Sequence, residues 1–298
     1  MALPVNVRDI VRSSTKIREE REKPLRIAIV IEADAPDELI DAVRDRFRPQ
    51  TAGAKLGIEV TEPGVSIGFH ASTDAVVGLV GSGAGGLSEV LADAREQGLH
   101  TVAIGVAETH LEVAERVGHP YADTVAALDA ELAVDRELAS WLVERLSGKR
   151  LALAHNFAFM RSAVAEEAVK ATATQNALVG AVLFIPGADM PVMTLNQAKM
   201  LLQIAAAYGQ PLGSERAKEL LAVVGGGFAL RTVARQALGV VPGFGWAVKG
   251  AIGYGGTIAM GKAAIAYFEQ GADLSSVAHK AVEARDAAVK RLKDARAS

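Results

Sequence analysis

The sequence predicts an α/β domain at residues 25–147 and an all-α domain at residues 148–298, after a polar N-terminal tail at residues 1–24. In the first domain, short runs rich in Val and Ile alternate with amphipathic runs, a pattern typical of a mostly parallel, open sheet covered by helices. In the second, long apolar segments are broken by Gly and Pro. Half of the residues are hydrophobic but only 5% are aromatic, which favours closely packed helices.

The two predicted domains differ in charge. Residues 148–298 contain 17 Lys and Arg against 10 Asp and Glu, a net charge of +7, whereas the preceding residues contain 15 against 25, a net charge of −10. An acidic N-terminal part and a basic, apolar C-terminal part indicate two separate roles. The chain has no cysteine, which excludes disulfides, thiolate zinc sites and thiol nucleophiles.

The N-terminal tail carries scattered charges and no apolar core, so it does not have the pattern of a signal peptide. We therefore expect a cytoplasmic protein, located at the inner face of the cell membrane.

The first domain begins with a strand, "LRIAIVIEA" at Leu25–Ala33, followed by an amphipathic helix. Glu62-Pro63-Gly64 is a turn signature, and the alternating residues on both sides of it predict an antiparallel hairpin. "DAVVGLV" and "HTVAIGVA" predict two more buried strands, joined by a helix that ends at Gly98. The predicted order is β-α-β-β-β-α-β.

The second domain is predicted to consist of long helices that end at Gly and Pro. The first runs from Arg150 to a stop at Ile185-Pro186-Gly187, and the second ends at Gly209. A third begins at Ser214 and stops at Pro242-Gly243, an apolar helix follows it, and a charged last helix begins near Asp273.

A glycine-rich stretch, "GSGAGG", lies between a predicted strand and a predicted helix. Gly81, Gly83 and Gly86 have the G-x-G-x-x-G spacing of loops that hold a pyrophosphate at a helix N-terminus. Glu108, the acid that ends the next strand, lies farther along than the usual distance of about 20 residues. We interpret the stretch as a tight turn and keep nucleotide binding as the alternative.

A second glycine motif lies in an apolar helix. Gly256, Gly261 and Lys262 match G-x-x-x-x-G-K, but Ala263 replaces the Ser or Thr that would bind magnesium, and no strand precedes the motif. We interpret these glycines as small residues that let two helices approach closely.

The sequence predicts no metal site, cofactor or catalytic group. His110 and His119 lie near Glu108, Glu112 and Glu115, but their spacing matches no helical ligand pair. Gly64-Val65-Ser66-Ile67-Gly68 has the G-x-S-x-G spacing, but it lies in the predicted hairpin and not in a strand-to-helix nucleophile elbow, and the H-E-x-x-H motif is absent from the sequence.

Three polar residues, Asp189, Asn196 and Gln197, stand in apolar surroundings within "IPGADMPVMTLNQAKMLLQIAAAYG". In the leading interpretation Asp189 caps a helix, and the two amides bind backbone groups that Pro and Gly leave unpaired. In the alternative, the three residues contact a ligand or a partner.

This stretch, together with "VVPGFGWAVKGAIGYGGTIAMGKAAIAYF", resembles a known family: the uncharacterised helical domain that follows Era-like GTPase domains in many bacterial proteins and forms the C-terminal part of YcjF-type inner-membrane proteins. The resemblance covers about residues 150–270. The residues that carry it include Gln197, Met200, Tyr208, Gly209, Thr257, Gly261, Tyr267 and Phe268. The family has no established activity, and the resemblance implies a setting at the bacterial membrane.

The resemblance also implies a GTPase-like domain at residues 25–147. The first strand, however, is followed by Asp34-Ala35-Pro36-Asp37-Glu38, which has no glycine and no lysine to form a phosphate loop. "IGVAETH" stands where an Asn-Lys-x-Asp guanine motif is expected. An acidic loop at this place would repel a triphosphate. We therefore expect a degenerate GTPase-like domain.

Together these patterns predict a non-catalytic, membrane-associated or scaffolding protein. Its α/β domain would make contacts with an unidentified protein partner, and its helical domain would bind an anionic membrane surface. We expect the protein to bind no nucleic acid. Lys249 interrupts the apolar stretch from Gly239 to Met260, which favours shallow insertion over a spanning helix. The alternatives are a nucleotide-binding enzyme or sensor that uses Gly81–Gly86, and a soluble homo-oligomeric scaffold.

Overall fold

The computed structural model describes residues 7–118, 123–182, 189–212 and 245–270, and the chain divides into two compact units. One unit is Glu20–Val164; the other combines Met1–Glu19 with Ala165–Ser298. The first unit contains the whole sheet and also the helices that follow it up to residue 164. The domain boundary at residue 147 stays a prediction.

A five-stranded, fully parallel sheet forms the centre of the first unit, in the order β2-β1-β3-β4-β5. Its strands are β1 (Leu25–Glu32), β2 (Ala54–Thr61), β3 (Ala75–Leu79), β4 (His100–Val106) and β5 (Asp123–Ala127). This order is common in doubly wound sheets, and it reverses direction between β1 and β3. The predicted fold class, α/β followed by all-α, is confirmed.

Helices precede, connect and follow the strands. They are α1 (Val7–Arg21), α2 (Asp37–Arg46), α3 (Leu87–Glu96), α4 (His110–Val117), α5 (Ala130–Leu132), α6 (Ala139–Arg145), α7 (Arg150–Asn156), α8 (Met160–Val182), α9 (Asp189–Ala207) and α10 (Gly245–Gln270). A π-helical segment, Ala133–Leu138, joins α5 to α6, and a 3₁₀ turn, Ser147–Lys149, precedes α7.

Both faces of the sheet are buried at the central strands β1, β3 and β4, which explains why these strands are mostly apolar. On one face, Val30 and Val76 pack in a core cluster with residues of α3 and α4. Ile29 and Val77, which alternate with them along the same strands, are buried as well. The continuous apolar runs of the sequence therefore reflect helices on two sides.

The predicted hairpin around Glu62-Pro63-Gly64 is wrong. Its first half is β2, which pairs in parallel with β1, and residues 65–69 form no strand. Ile67 and Phe69 pack instead against the core cluster. The alternation of polar and apolar residues in this segment comes from an extended chain crossing a core, not from a second strand.

The helix predicted to run without interruption from Arg150 is broken between α7 and α8. Phe157 has an extended backbone conformation, with φ −127° and ψ 116°. The Asn156 carbonyl accepts the Gln50 N–H at 2.9 Å, and the Thr51 hydroxyl donates to Asn156 Oδ1 at 2.6 Å. Because the loop before β2 uses these groups of Asn156, the helix ends there.

Two predicted glycine caps are confirmed. Gly98 follows α3 with φ 79°, and Gly209 follows α9 with φ 73°. Their N–H groups donate to the carbonyls of Arg95 and Ala206, respectively, which closes the last helical turn.

Helices α9 and α10, and α8 from residue 165 onward, belong to the second unit. Four predicted helix termini lie outside the described residues: those at Ile185-Pro186-Gly187, Ser214, Pro242-Gly243 and Asp273. Within the ranges that are described, no helix combines the length and the apolar character needed to cross a membrane.

Candidate functional site

The glycine-rich loop lies where the strand order reverses, which is the usual ligand position in an open parallel sheet. It connects the carboxyl end of β3 to the N-terminus of α3, as predicted. Gly83 and Gly86 adopt left-handed conformations, with φ 85° and 79°, and Gly86 is the N-cap of α3. A loop of this kind turns several backbone N–H groups toward one point and can form an anion site.

In this chain the point is occupied by Glu32, the last residue of β1. Its Oε2 accepts the N–H of Gly81 at 2.8 Å and that of Gly83 at 3.2 Å, and its Oε1 accepts the N–H of Gly85 at 3.0 Å. The side chain is only 1% exposed. The carboxylate therefore accepts the backbone N–H groups that a loop of this kind can offer to an anion.

Asp34, which is exposed to solvent, also hydrogen-bonds to this loop. Its Oδ2 accepts the Ser82 N–H at 3.1 Å. The hydroxyl and the N–H of Ser82 both hydrogen-bond to the Asp34 carboxylate and keep its pKa below the usual value of 3.8. The loop thus binds two carboxylates of its own chain, and their negative charge opposes the entry of another anion.

The glycines of this loop also allow its close packing. A Cβ at Gly81 would overlap the Asp34 side chain, and a Cβ at Gly83 would overlap the carbonyl oxygen of Arg116. At Gly85 a Cβ would lie 3.0 Å from Glu32 Cγ. The glycine spacing is therefore explained by close contacts inside the protein.

The structure brings two of the predicted glycines, Gly81 and Gly83, together with Glu32, which sequence reasoning missed; the third, Gly86, is the N-cap of α3. A signal for it was present: an acidic residue at the end of a buried apolar strand needs partners, and N–H groups of a glycine loop on the neighbouring strand can supply them.

A second polar cluster lies inside the helical unit. Thr257 of α10 is fully buried, and its Oγ1 accepts Asn176 Nδ2 of α8 and Gln197 Nε2 of α9, both at 3.0 Å. The Thr257 hydroxyl donates to the Gly253 carbonyl at 2.7 Å. Asn196 Nδ2 donates to Asn176 Oδ1 at 3.0 Å, so residues from three helices share one network.

This network corrects the interpretation of the amides. Asn196 and Gln197 were expected to bind backbone groups, but their amide groups donate to side chains of α8 and α10. Asn176 and Thr257 were not predicted as partners, because they are distant in sequence. Asp189 is the first residue of α9, and its side chain lies outside the described part of the chain.

Three small residues, spaced four apart, form the buried face of α10 that carries Thr257. Gly253, Thr257 and Gly261 are buried on one face of the helix. A Cβ at Gly261 would overlap the side chain of Val169 on α8, which confirms that this glycine allows a close helix approach. Lys262 is exposed within the helix, so the G-x-x-x-x-G-K match forms no phosphate loop.

Among the described residues, no three His, Asp or Glu side chains are grouped closely enough to hold a metal ion. His110 is the first residue of α4, where Thr109 caps the helix by accepting the Glu112 N–H. His119 lies outside the described residues.

The comparisons with known proteins bear on the helical part of the chain. Neither the curated proteins nor the solved structures gave a match. No family match extends over the domain that precedes residue 151, so its GTPase-like character stays a prediction. Residues 151–294 match the family described as "Domain of unknown function (DUF697)", and the predicted resemblance of the C-terminal region to an uncharacterised helical domain is to that extent confirmed.

Proposed function

We propose that this chain is a non-catalytic, membrane-associated scaffold. In this proposal a degenerate GTPase-like α/β domain makes protein contacts, and the DUF697-matching region binds an anionic membrane surface. The observation that carries the proposal is the closure of the glycine loop by Glu32 and Asp34.

The closed loop supports a role without nucleotide chemistry. A phosphate would have to displace Glu32 from three backbone N–H groups and would lie beside Asp34. Like charges repel each other, and the N–H groups are already satisfied. The residues of a phosphate loop and of a guanine motif are also missing from their expected places in residues 25–147.

The GTPase-like part of the proposal rests on the helical domain that follows, because such domains follow GTPase domains in the family that this region resembles. The sheet itself adds no support, since its strand order is that of flavodoxin-like sheets.

Calorimetric titration of the full chain with GTP, GDP and ATP in the presence of Mg²⁺ tests the first part. We expect no heat of binding up to millimolar nucleotide. Micromolar affinity of the wild-type chain for GTP would contradict the proposal and favour the nucleotide-binding alternative.

The membrane part is supported by charge and by exposed apolar side chains. Residues 148–298 carry a net charge of +7, which attracts anionic lipid at about 1 kcal/mol per basic residue near the surface. Leu178, Val192 and Tyr254 are exposed on α8, α9 and α10. Each lies within two residues of Asn176, Met193 or Gly253, which pack together, so the three helices are close to one another at this level. Exposed apolar side chains at this level fit shallow insertion.

Flotation of the full chain with phosphatidylcholine vesicles, with and without phosphatidylglycerol, tests this part. We expect flotation only with the anionic lipid, decreasing as salt is raised. The double variant Leu178→Glu with Tyr254→Glu should float less. Leu128→Glu is the matched control, because Leu128 is exposed but lies in the sheet unit. No flotation at low salt would favour a soluble homo-oligomeric scaffold.

A further inference from the structure

Strand β2 lies at one edge of the sheet and carries two exposed β-branched side chains. It pairs with β1 on one side, and no strand among the described residues pairs with the other side. Ile58 and Val60 are 58% and 57% exposed. An edge strand of this length with exposed apolar residues is a template for pairing with another strand.

The direction of the backbone groups in β2 follows from one hydrogen bond. The Leu25 N–H donates to the Gly53 carbonyl at 2.9 Å, so the carbonyl of Gly53 points toward β1. Carbonyl and N–H groups alternate between the two sides along a strand. The backbone groups that point away from β1 are therefore those of Ala54, Leu56, Ile58 and Val60.

We propose that two copies of this chain associate through antiparallel pairing of their β2 strands around a two-fold axis at Gly57. The two sheets would then form one continuous sheet, with the outward backbone groups of each β2 bonded to those of the other. A two-fold axis closes the assembly as a dimer, because each copy uses the same edge.

The side chains of β2 select this register. With Gly57 opposite itself, Lys55 of each copy lies opposite Glu59 of the other, which gives two opposite-charge pairs across the strands. On the other face, Leu56 lies opposite Ile58, and Ala54 lies opposite Val60. Every directly opposed pair is thus either apolar or complementary in charge. A shift that centres the axis on Ile58 would place Glu59 opposite Gly57 and lose both charge pairs.

Gly57 also suits the centre of the interface. A Cβ at this position would have no neighbour within 4 Å, so a side chain introduced there meets no atom of its own copy. In the proposed register the two Gly57 residues form a non-hydrogen-bonded pair, whose Cα atoms lie about 4.5 Å apart. That distance is within the range that a disulfide spans.

The inference rests on the proposed use of the α/β domain for protein contacts and names a second copy of the chain as the partner. Its test measures self-association and no nucleotide or lipid. A monomer that binds no nucleotide and floats with anionic vesicles would overturn the inference and leave the proposed function in place.

Single cysteines test the register, since the native chain has none. Under mild oxidation we expect Gly57→Cys to form a disulfide-linked dimer. Lys55→Cys is the matched control and should stay uncrosslinked, because the two copies of residue 55 lie about 14 Å apart along the strands. A mixture of Lys55→Cys and Glu59→Cys should crosslink as a heterodimer. Equal crosslinking of Gly57→Cys and Lys55→Cys would overturn the register.

Charge reversal tests the association itself by analytical ultracentrifugation of the full chain. Lys55→Glu and Glu59→Lys, each alone, should weaken the dimer about tenfold, because both symmetric pairs become repulsive. The double variant, which swaps the two charges, should restore it. Both positions are exposed, so circular dichroism should show unchanged folding. A monomeric wild-type chain, or a double variant no better than the single ones, would overturn the proposal.

Discussion

The carboxylate of Glu32 accepts the N–H of Gly81 at 2.8 Å, which joins the end of β1 to the glycine loop that follows β3. The two residues are distant in sequence, and the parallel pairing of β1 with β3 brings them together. This contact lies where doubly wound sheets bind their ligands. The loop keeps the backbone geometry of an anion site while a side chain of the same protein fills it.

Replacing Glu32 should therefore destabilise the sheet unit. Glu32→Gln retains one acceptor oxygen but turns an NH₂ group toward at least one backbone N–H, so we expect a loss of about 1–3 kcal/mol in the free energy of unfolding. Urea unfolding measures it. Glu38→Gln, on the exposed side of α2, should change stability by less than about 0.5 kcal/mol. Equal stability of the two variants would contradict the role assigned to Glu32.

Glu32→Ala offers a second test of the same loop. It leaves the N–H groups of Gly81, Gly83 and Gly85 without their acceptor, and it removes a negative charge. Added inorganic phosphate should then raise the melting temperature of this variant and leave that of the wild type unchanged, because only the variant has an open anion site. The same response in both proteins would show that phosphate acts elsewhere.

Glycine substitutions separate conformational strain from steric overlap. Gly118→Ala should cost about 1–2 kcal/mol, since its φ of 67° disfavours a side chain although no atom lies within 4 Å of the added Cβ. Gly83→Ala should cost more, because its Cβ would also overlap the Arg116 carbonyl. Gly68→Ala is the control, with open space and no positive φ. The predicted order of melting temperatures is Gly68→Ala, then Gly118→Ala, then Gly83→Ala as the lowest.

The sequence was sufficient to predict structural features that depend on a single strand or helix. Continuous apolar strands such as "DAVVGLV" predicted a parallel sheet with both faces covered, and Gly98 predicted the end of α3. Ile67 and Phe69 were misread, because an extended segment over a core has the same two-residue period as a strand. The short strand β5 escaped notice, since its five residues include Asp123 and Thr124 and none is fully buried.

The hydrogen-bond partners of buried polar residues could not be predicted from the sequence, for a different reason. Glu32 binds N–H groups that belong to another strand, and Gln197 binds a hydroxyl on another helix. Only the tertiary fold determines such pairs, because the local pattern gives a polar residue in an apolar segment but not the group that satisfies it.

The network around Thr257 should contribute measurably to the stability of the helical unit. Thr257→Val keeps the shape of the side chain but leaves the amide groups of Asn176 and Gln197 without their acceptor, so we expect a loss of about 1–3 kcal/mol. Thr257→Ser should retain most of the stability. Thr174→Val is the matched control, because its hydroxyl binds only the Lys170 carbonyl of its own helix and the side chain is exposed. If Thr257→Val and Thr174→Val cost the same, the network has no stabilising role.

His155, near the end of α7, should make stability depend on pH. Burial, and next the positive charge of Arg21, lower its pKa below the ordinary value of 6.5, although Glu22 acts in the opposite direction. The folded chain then binds fewer protons at this site than the unfolded chain. The resulting contribution to stability is present above pH 6.5 and is lost as the pH falls through the folded-state pKa.

The free energy of unfolding of the wild type should therefore decrease relative to that of His155→Gln as the pH is lowered from 8 toward 5.5. Burial also raises the pKa of Glu20, whose contribution has the opposite pH dependence, but Glu20 is present in both proteins and cancels in the comparison. Urea unfolding of the two proteins at each pH measures the difference, and a difference that stays constant across this range would contradict the lowered pKa.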